Sequence, residues 1–266
     1  SVVPRFAGIP TFMRAAQAPI SDDLDIALVG VPLDLGATYR SGARQGPEGV
    51  RTASRLIRQV NPTTGIAPYR LCTIADIGDA PVDPLSVERS VDLIRAFYDR
   101  IHAAGAVPIT IGGDHTVPLP VLRAIATGGP VGLVQIDSHS DTFDDFMGTR
   151  YNHATFVRRA VEEGLLDPAR VCMIGIRGTA YDSEDRDFAR AVGITVIPIE
   201  EFHRRGVEDV MAQARAIAGQ DETYVSYDID FVDPAFAPGT GTPEIGGPNS
   251  WQALECARLL AGVRIV

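Results

Sequence analysis

Seven short runs rich in valine and isoleucine punctuate the chain, each closing on small or polar residues and leading into a longer stretch with helical spacing. They fall at residues 26–32, 73–78, 107–113, 131–137, 171–177, 194–199 and 223–230. Their apolar residues are consecutive rather than alternating, the pattern of parallel strands covered by helices on both faces. Between two of them, Val87, Val91, Ile94, Tyr98 and Ile101 line up as one helical stripe, with Ser86 placed as N-cap and Gly105 placed to end the helix. Val207, Val210, Met211, Ala214 and Ile217 repeat the pattern before Gly219. No linker-like stretch, internal repeat or low-complexity segment interrupts the alternation. The expected architecture is one α/β domain over residues 1–266 with a mostly parallel sheet. Its first twenty residues are expected to form an arm on the surface or on a neighbouring subunit.

Charge narrows the partners. The chain carries 24 basic and 34 acidic residues, a net −10, which argues against nucleic acid and against an anionic membrane surface, and favours a small cationic ligand. No run approaches the about 20 apolar residues of a membrane span, and SVVPRFAGIPTFMR lacks the order of a signal peptide, so a cytoplasmic location is expected. Cys72, Cys172 and Cys256 are odd in number and far apart, which reads as buried thiols rather than a disulfide framework or thiolate zinc site.

Open α/β sheets place their sites beyond the carboxyl ends of the strands. Three such ends share one composition: Gly112-Gly113-Asp114-His115, Asp137-Ser138-His139-Ser140-Asp141, and Asp228-Ile229-Asp230-Phe231-Val232-Asp233-Pro234. In an extended segment residues two apart point the same way, so Asp137 and His139 are expected to share a face, as are Asp228 and Asp230; Asp141 joins them if the chain turns. Four carboxylates and two imidazoles crowded together raise one another's pKa unless cations neutralise them. Carboxylate and imidazole without thiolate suit manganese, with zinc, iron, cobalt and nickel left open. Two ions are the natural count: four aspartates at −4, two divalent ions at +4 and one bridging hydroxide leave the cluster at −1, attractive to a cationic substrate. A water shared by two such ions ionises near neutral pH and attacks an electrophilic carbon.

These motifs resemble the ureohydrolase family, which includes arginase, agmatinase, guanidinobutyrase, guanidinopropionase and proclavaminate amidinohydrolase. The resemblance runs from PRFAGIPTFMR near the start to PGTGTPEIGG at 238–247. It implies a three-layer α/β/α sandwich and hydrolysis of a guanidino group to an amine and urea. It implies one Mn²⁺ on His115, Asp137, Asp141 and Asp228 and a second on Asp137, His139, Asp228 and Asp230, with Asp141 also in the catalytic set. His153, in Tyr151-Asn152-His153-Ala154-Thr155, matches the family's proton shuttle, although members commonly carry Gly where Ala154 stands. Trimers and hexamers are usual for such chains, so a homo-oligomer is expected. The loop from Gly36 to Pro47 matches the family's Gly/Arg/Pro loop and is expected to support the fold or subunit contacts.

The 142–152 loop lacks the Asn-Thr-Pro pattern of arginases, which points to agmatine or a guanidino acid. Arg150 is placed to pair with a substrate carboxylate, favouring 4-guanidinobutyrate or 3-guanidinopropanoate, and Asn152 is a second candidate substrate contact. Gly262-Val263-Arg264-Ile265-Val266 reads as the start of a further strand, where the family continues into a glutamate-bearing segment that anchors the guanidinium. Either the sequence is a piece of a longer chain or substrate binding is impaired as it stands, and the latter leaves a second expectation: a catalytically silent, metal-stabilised subunit of a homo-oligomer.

Overall fold

The protein is described here by a computed structural model covering residues 4–181 and 183–266. In chain order the elements are β1 (Ala16–Gln17), β2 (Ile26–Val31), α1 (Gly46–Ala53), β3 (Ile74–Asp79), α2 (Val87–Ala103), β4 (Val107–Gly112), α3 (Pro118–Ile125), β5 (Val131–Ile136), α4 (Phe156–Glu162), β6 (Leu166–Ile176), α5 (Glu184–Val192), β7 (Thr195–Pro198), α6 (Ile199–Arg205), α7 (Val207–Ala218), β8 (Thr223–Tyr227) and α8 (Ser250–Arg258). The strands form two four-stranded parallel ladders, β1-β3-β2-β4 and β7-β6-β5-β8. Beside β8, Ile265 makes a parallel bridge to Thr223, so the end of the chain runs as the strand start expected from its sequence.

The consecutive apolar runs serve two faces at once. On β5 and β6, Leu133, Val171 and Met173 enter one core with α3 and α4, while Val134, Ile136, Cys172 and Ile174 enter another with α6, α7 and α8. Burying each such side chain contributes about 1.5–3 kcal/mol relative to leaving it in water, so neither face tolerates a polar alternation. Ser86 caps α2 by accepting from the Arg89 N–H, and Val91, Ile94, Tyr98 and Ile101 are its buried stripe. Cys172 and Cys256 are buried, and burial pushes both thiols up to about 12. Among the described residues no helix is long and apolar enough to cross a membrane.

Three sequence-based boundaries change. β6 starts at Leu166 rather than 171, because the strand continues across Asp167-Pro168 with a register shift opposite Val131 and Leu133. The strand expected to run to 230 ends at Tyr227, where the Asp228 carboxylate accepts from the Asp230 N–H and winds Ile229–Phe231 into a 3₁₀ turn. Nor are the first twenty residues one arm. Phe6 and Ile9 lie exposed, but Phe12 is fully buried, its N–H bonds the Asp76 carboxylate at 2.9 Å, and β1 extends the sheet beside β3. Residues 1–3 of that arm lie outside the described residues.

Candidate metal centre and active site

The three motifs meet at the carboxyl ends of β4, β5 and β8, and turns rather than strand pleats aim their side chains. After β4, Gly113 adopts φ +71°, and a Cβ there would stand 2.5 Å from the Val31 carbonyl oxygen and 2.6 Å from that of Leu33, so only glycine brings His115 to this place. After β5, the Asp137 carboxylate accepts from the His139 N–H at 2.7 Å, folding the imidazole back beside it. Asp141 then takes φ +54°, an uncommon left-handed conformation for a residue with a side chain, which returns its carboxylate to the cluster. Asp137 with His139 and Asp228 with Asp230 therefore converge as expected, though by side-chain-capped turns and not by alternation along an extended segment.

His115 Nδ1 lies 2.7 Å from Asp141, 3.0 Å from Asp137 and 3.4 Å from Asp228. His139 Nδ1 lies 3.0 Å from Asp230 and 3.9 Å from Asp137. Asp137 thus belongs to two groups whose candidate ligand atoms lie within 4.8 Å of one another, His115-Asp137-Asp228 and Asp137-His139-Asp230. The surroundings hold these groups in place. Ser226 on β8 meets His115 Nε2 at 2.6 Å, Gln135 donates to Asp137 at 2.9 Å, and the Ser138 hydroxyl donates to Asp230 at 2.6 Å. Fixing the far nitrogen or oxygen of a ligand orients the near one.

Charge is the unsolved part of this cluster. Among the described ion pairs, the four carboxylates face only the two imidazoles and no arginine. Burial, then Asp230 and Asp141, push Asp137 up to about 6; burial, then Asp230 and Asp137, push Asp228 up to about 7. Burial also raises Asp141. Burial, the largest single influence, opposes charge on His139, but the bond to Asp230 together with the charges of Asp230, Asp137 and Asp141 outweighs it and lifts the imidazole to about 10. His115 Nδ1 and Asp141 Oδ2 are buried without a hydrogen-bond partner although they lie 2.7 Å apart. Polar atoms that converge without bonding one another, in a set of oxygens and imidazole nitrogens, fit divalent cations.

Beside the cluster lies a pocket of about 1080 Å³ that includes His139, Asp141 and His153. His153 is mostly buried, which lowers its pKa to about 4 and leaves it neutral at pH 7. Phe146 packs edge-on against the His153 ring and tilts against Tyr181 across the pocket, giving an apolar wall. The sequence did not single out Thr38, Thr242 or Glu244, all of which line the same pocket; Thr242 donates to Asp230 at 3.2 Å. Their signal was present only as the Gly/Arg/Pro loop and the PGTGTPEIGG stretch.

Comparison with known proteins places this geometry. Residues 24–266 match the arginase family. The chain belongs to that family. A guanidinopropionase of Pseudomonas aeruginosa is 52% identical to it over 265 residues, 99% of this chain and 83% of the relative. A guanidinobutyrase of the same organism is 46% identical over 268 residues, 99% and 84% of the two chains. The solved structure of proclavaminate amidinohydrolase from Streptomyces clavuligerus superposes with a TM-score of 0.95 at 39% identity, covering 99% of this chain and 88% of that one. This arginase-family chain is a hydrolase of carbon–nitrogen bonds in linear amidines.

Two expected substrate contacts of the family member lie outside its pocket. The Arg150 guanidinium pairs with Asp144 at 2.9 Å and Glu162 at 3.0 Å, and so is turned away from the cavity. Asn152 is buried and spends its amide within its own loop, donating to the Phe146 and Thr149 carbonyls and accepting from the Ala154 N–H. Both are scaffold for the loop that carries His153.

Proposed function

We propose that the chain is a dinuclear manganese amidinohydrolase that cleaves a short linear guanidino acid into an amine and urea. One observation carries this reading: His115 Nδ1 stands within 3.4 Å of three carboxylates, one of which is shared with a second imidazole group, and among the described ion pairs no arginine pairs with them. His115, Asp137, Asp141 and Asp228 would hold one ion, and Asp137, His139, Asp228 and Asp230 the other. Two divalent cations held there would supply Lewis acidity and a water that ionises near neutral pH.

The chain's own residues do the rest. Phe146 and Tyr181 offer the substrate's methylene chain an aromatic surface. As a water oxygen bonds to the guanidinium carbon, His153, neutral and inside the pocket, takes up the proton that water gives up and passes it to the amine nitrogen as the carbon–nitrogen bond breaks. A guanidino acid is favoured over agmatine by the relatives named guanidinopropionase and guanidinobutyrase, at 52% and 46% identity. A cytoplasmic homo-oligomer, trimer or hexamer, is part of the proposal.

The test is urea release by metal-loaded protein from 3-guanidinopropanoate, 4-guanidinobutyrate, agmatine and arginine, with metal content measured on the same sample. Two manganese ions per chain and turnover of a guanidino acid, abolished by chelation and restored by Mn²⁺, are expected. Two bound ions with no urea from any substrate, in a chain that also carries the family's glutamate-bearing C-terminal segment, would leave the silent subunit as the correct description.

A further inference from the structure

The loop between β2 and α1 reaches across the molecule to the proton carrier. Thr38 Oγ1 lies 2.7 Å from His153 Nε2, and both residues line the pocket. This contact spans 115 residues, and the loop that makes it is held firmly. Asp34 accepts from the Gly42 N–H at 3.0 Å and from Arg44 Nε at 2.6 Å, closing the loop at its base. Asp114, buried next to the ligand His115, accepts from the Gly36 N–H at 2.8 Å. The Gly36 carbonyl in turn accepts from the His153 N–H at 3.3 Å. A Cβ at Gly36 would come 2.3 Å from Thr116 Oγ1, so the backbone passes here only because the residue is glycine. One carboxylate beside a metal ligand thus fixes the loop, and the loop delivers a hydroxyl to the imidazole.

We propose that Thr38 is a positioning residue for the reaction: its hydroxyl commits Nε2 of His153, setting the orientation of the ring and leaving Nδ1 as the nitrogen that exchanges the proton. This rests on the role given above to His153. Whichever way the hydrogen points between Oγ1 and Nε2, Nε2 is engaged, which is how a second group selects the working nitrogen of an imidazole.

Thr38→Val keeps the side-chain shape and deletes the hydroxyl. In the manganese-loaded protein kcat for urea release is expected to fall at least about tenfold, with KM changing less than about threefold. Thr38→Ser is expected to restore most of the rate. In a His153→Ala background, Thr38→Val is expected to cost nothing further, because the two residues act as one unit. Histidine ¹⁵N NMR, with diamagnetic zinc in place of manganese, is expected to show the His153 Nε2 resonance displaced in Thr38→Val and returned in Thr38→Ser. The proposal is overturned by a Thr38→Val rate within twofold of wild type, by a serine variant as impaired as the valine one, by costs that multiply in the double variant, or by an unmoved Nε2 resonance. Wild-type protein that releases no urea would refute the function instead, and the NMR arm still decides whether Thr38 sets the ring.

Discussion

Asp141 and Asp144 stand three residues apart on one loop, and their carboxylates are neutralised in opposite ways. Asp144 is partly exposed and meets three arginines, Arg150, Arg158 and Arg159, all of which also reach Glu162. The Arg159 bond, first among its influences, holds its pKa below the usual carboxylate range. Asp141 is almost fully buried, faces only His115 among its described ion pairs, and is raised by that burial. Where charge serves the scaffold, the chain supplies its own counter-ion. Around Asp141 it supplies four carboxylates against two imidazoles.

The widest gap between the two clusters is expected from Asp137→Asn. It removes the carboxylate common to both metal groups, so metal content should drop below two per chain and urea release should fall by at least about a thousandfold. The metal-free variant should melt at a higher temperature than metal-free wild type, because a buried carboxylate with too few counter-charges has been removed. A lower melting temperature in the absence of metal would show that the cluster is a self-sufficient structural network. Metal itself should separate the clusters next. Mn²⁺ at about a hundredfold over its Kd stabilises the folded state by about 2.7 kcal/mol, whereas an arginine-neutralised cluster gains nothing from it. The thermal shift with and without chelator measures this.

On the scaffold side, Arg159→Met should cost about 2 kcal/mol in a urea melt, since Arg159 is 3% exposed and donates to both the Asp144 carbonyl and carboxylate. Metal content should be unchanged. Loss of metal in this variant would mean that the two clusters are one unit.

Acid sharpens the same contrast at Asp34, another carboxylate served by an arginine. The Arg44 bond, ahead of opposing burial and the Gly42 N–H, lowers its pKa. The unfolded chain therefore takes up this proton first as pH falls below about 4. The stability the pair provides is complete above that value and is lost as pH falls further, through the lowered folded-state pKa. Wild type should thus keep its thermal advantage over Asp34→Asn at pH 7 and pH 5 and lose it progressively as pH falls below about 4.

What the sequence made legible follows from range. The parallel strands and the α2 stripe are local, set by apolar spacing and by caps such as Ser86, and they stand almost where expected. The six candidate ligands were legible because each motif is local and their composition is unusual for strand ends. The geometry that joins them was not, since Asp137 and Asp228 bend the chain with their own carboxylates. Thr38 was illegible as a partner of His153 because nothing in its own loop announces a residue 115 positions away.

Arg150 is the case where the structure shows partners that local reasoning did not name, Asp144 and Glu162, and it gives the smallest predicted effect. Its position on the loop before His153 suggested a grip on a substrate carboxylate, but in the structure its guanidinium pairs with Asp144 and Glu162. Its side chain is 55% exposed, so these pairs are screened and each is worth at most about 1 kcal/mol. Arg150→Ala should change stability by less than about 0.5 kcal/mol and leave KM for 4-guanidinobutyrate within about twofold of wild type. A tenfold rise in KM for the guanidino acid, with none for agmatine, would require the guanidinium to leave Asp144 and Glu162 and enter the pocket. The division between a self-neutralised scaffold and an under-neutralised site would then fail at the one residue that lies on the loop between them.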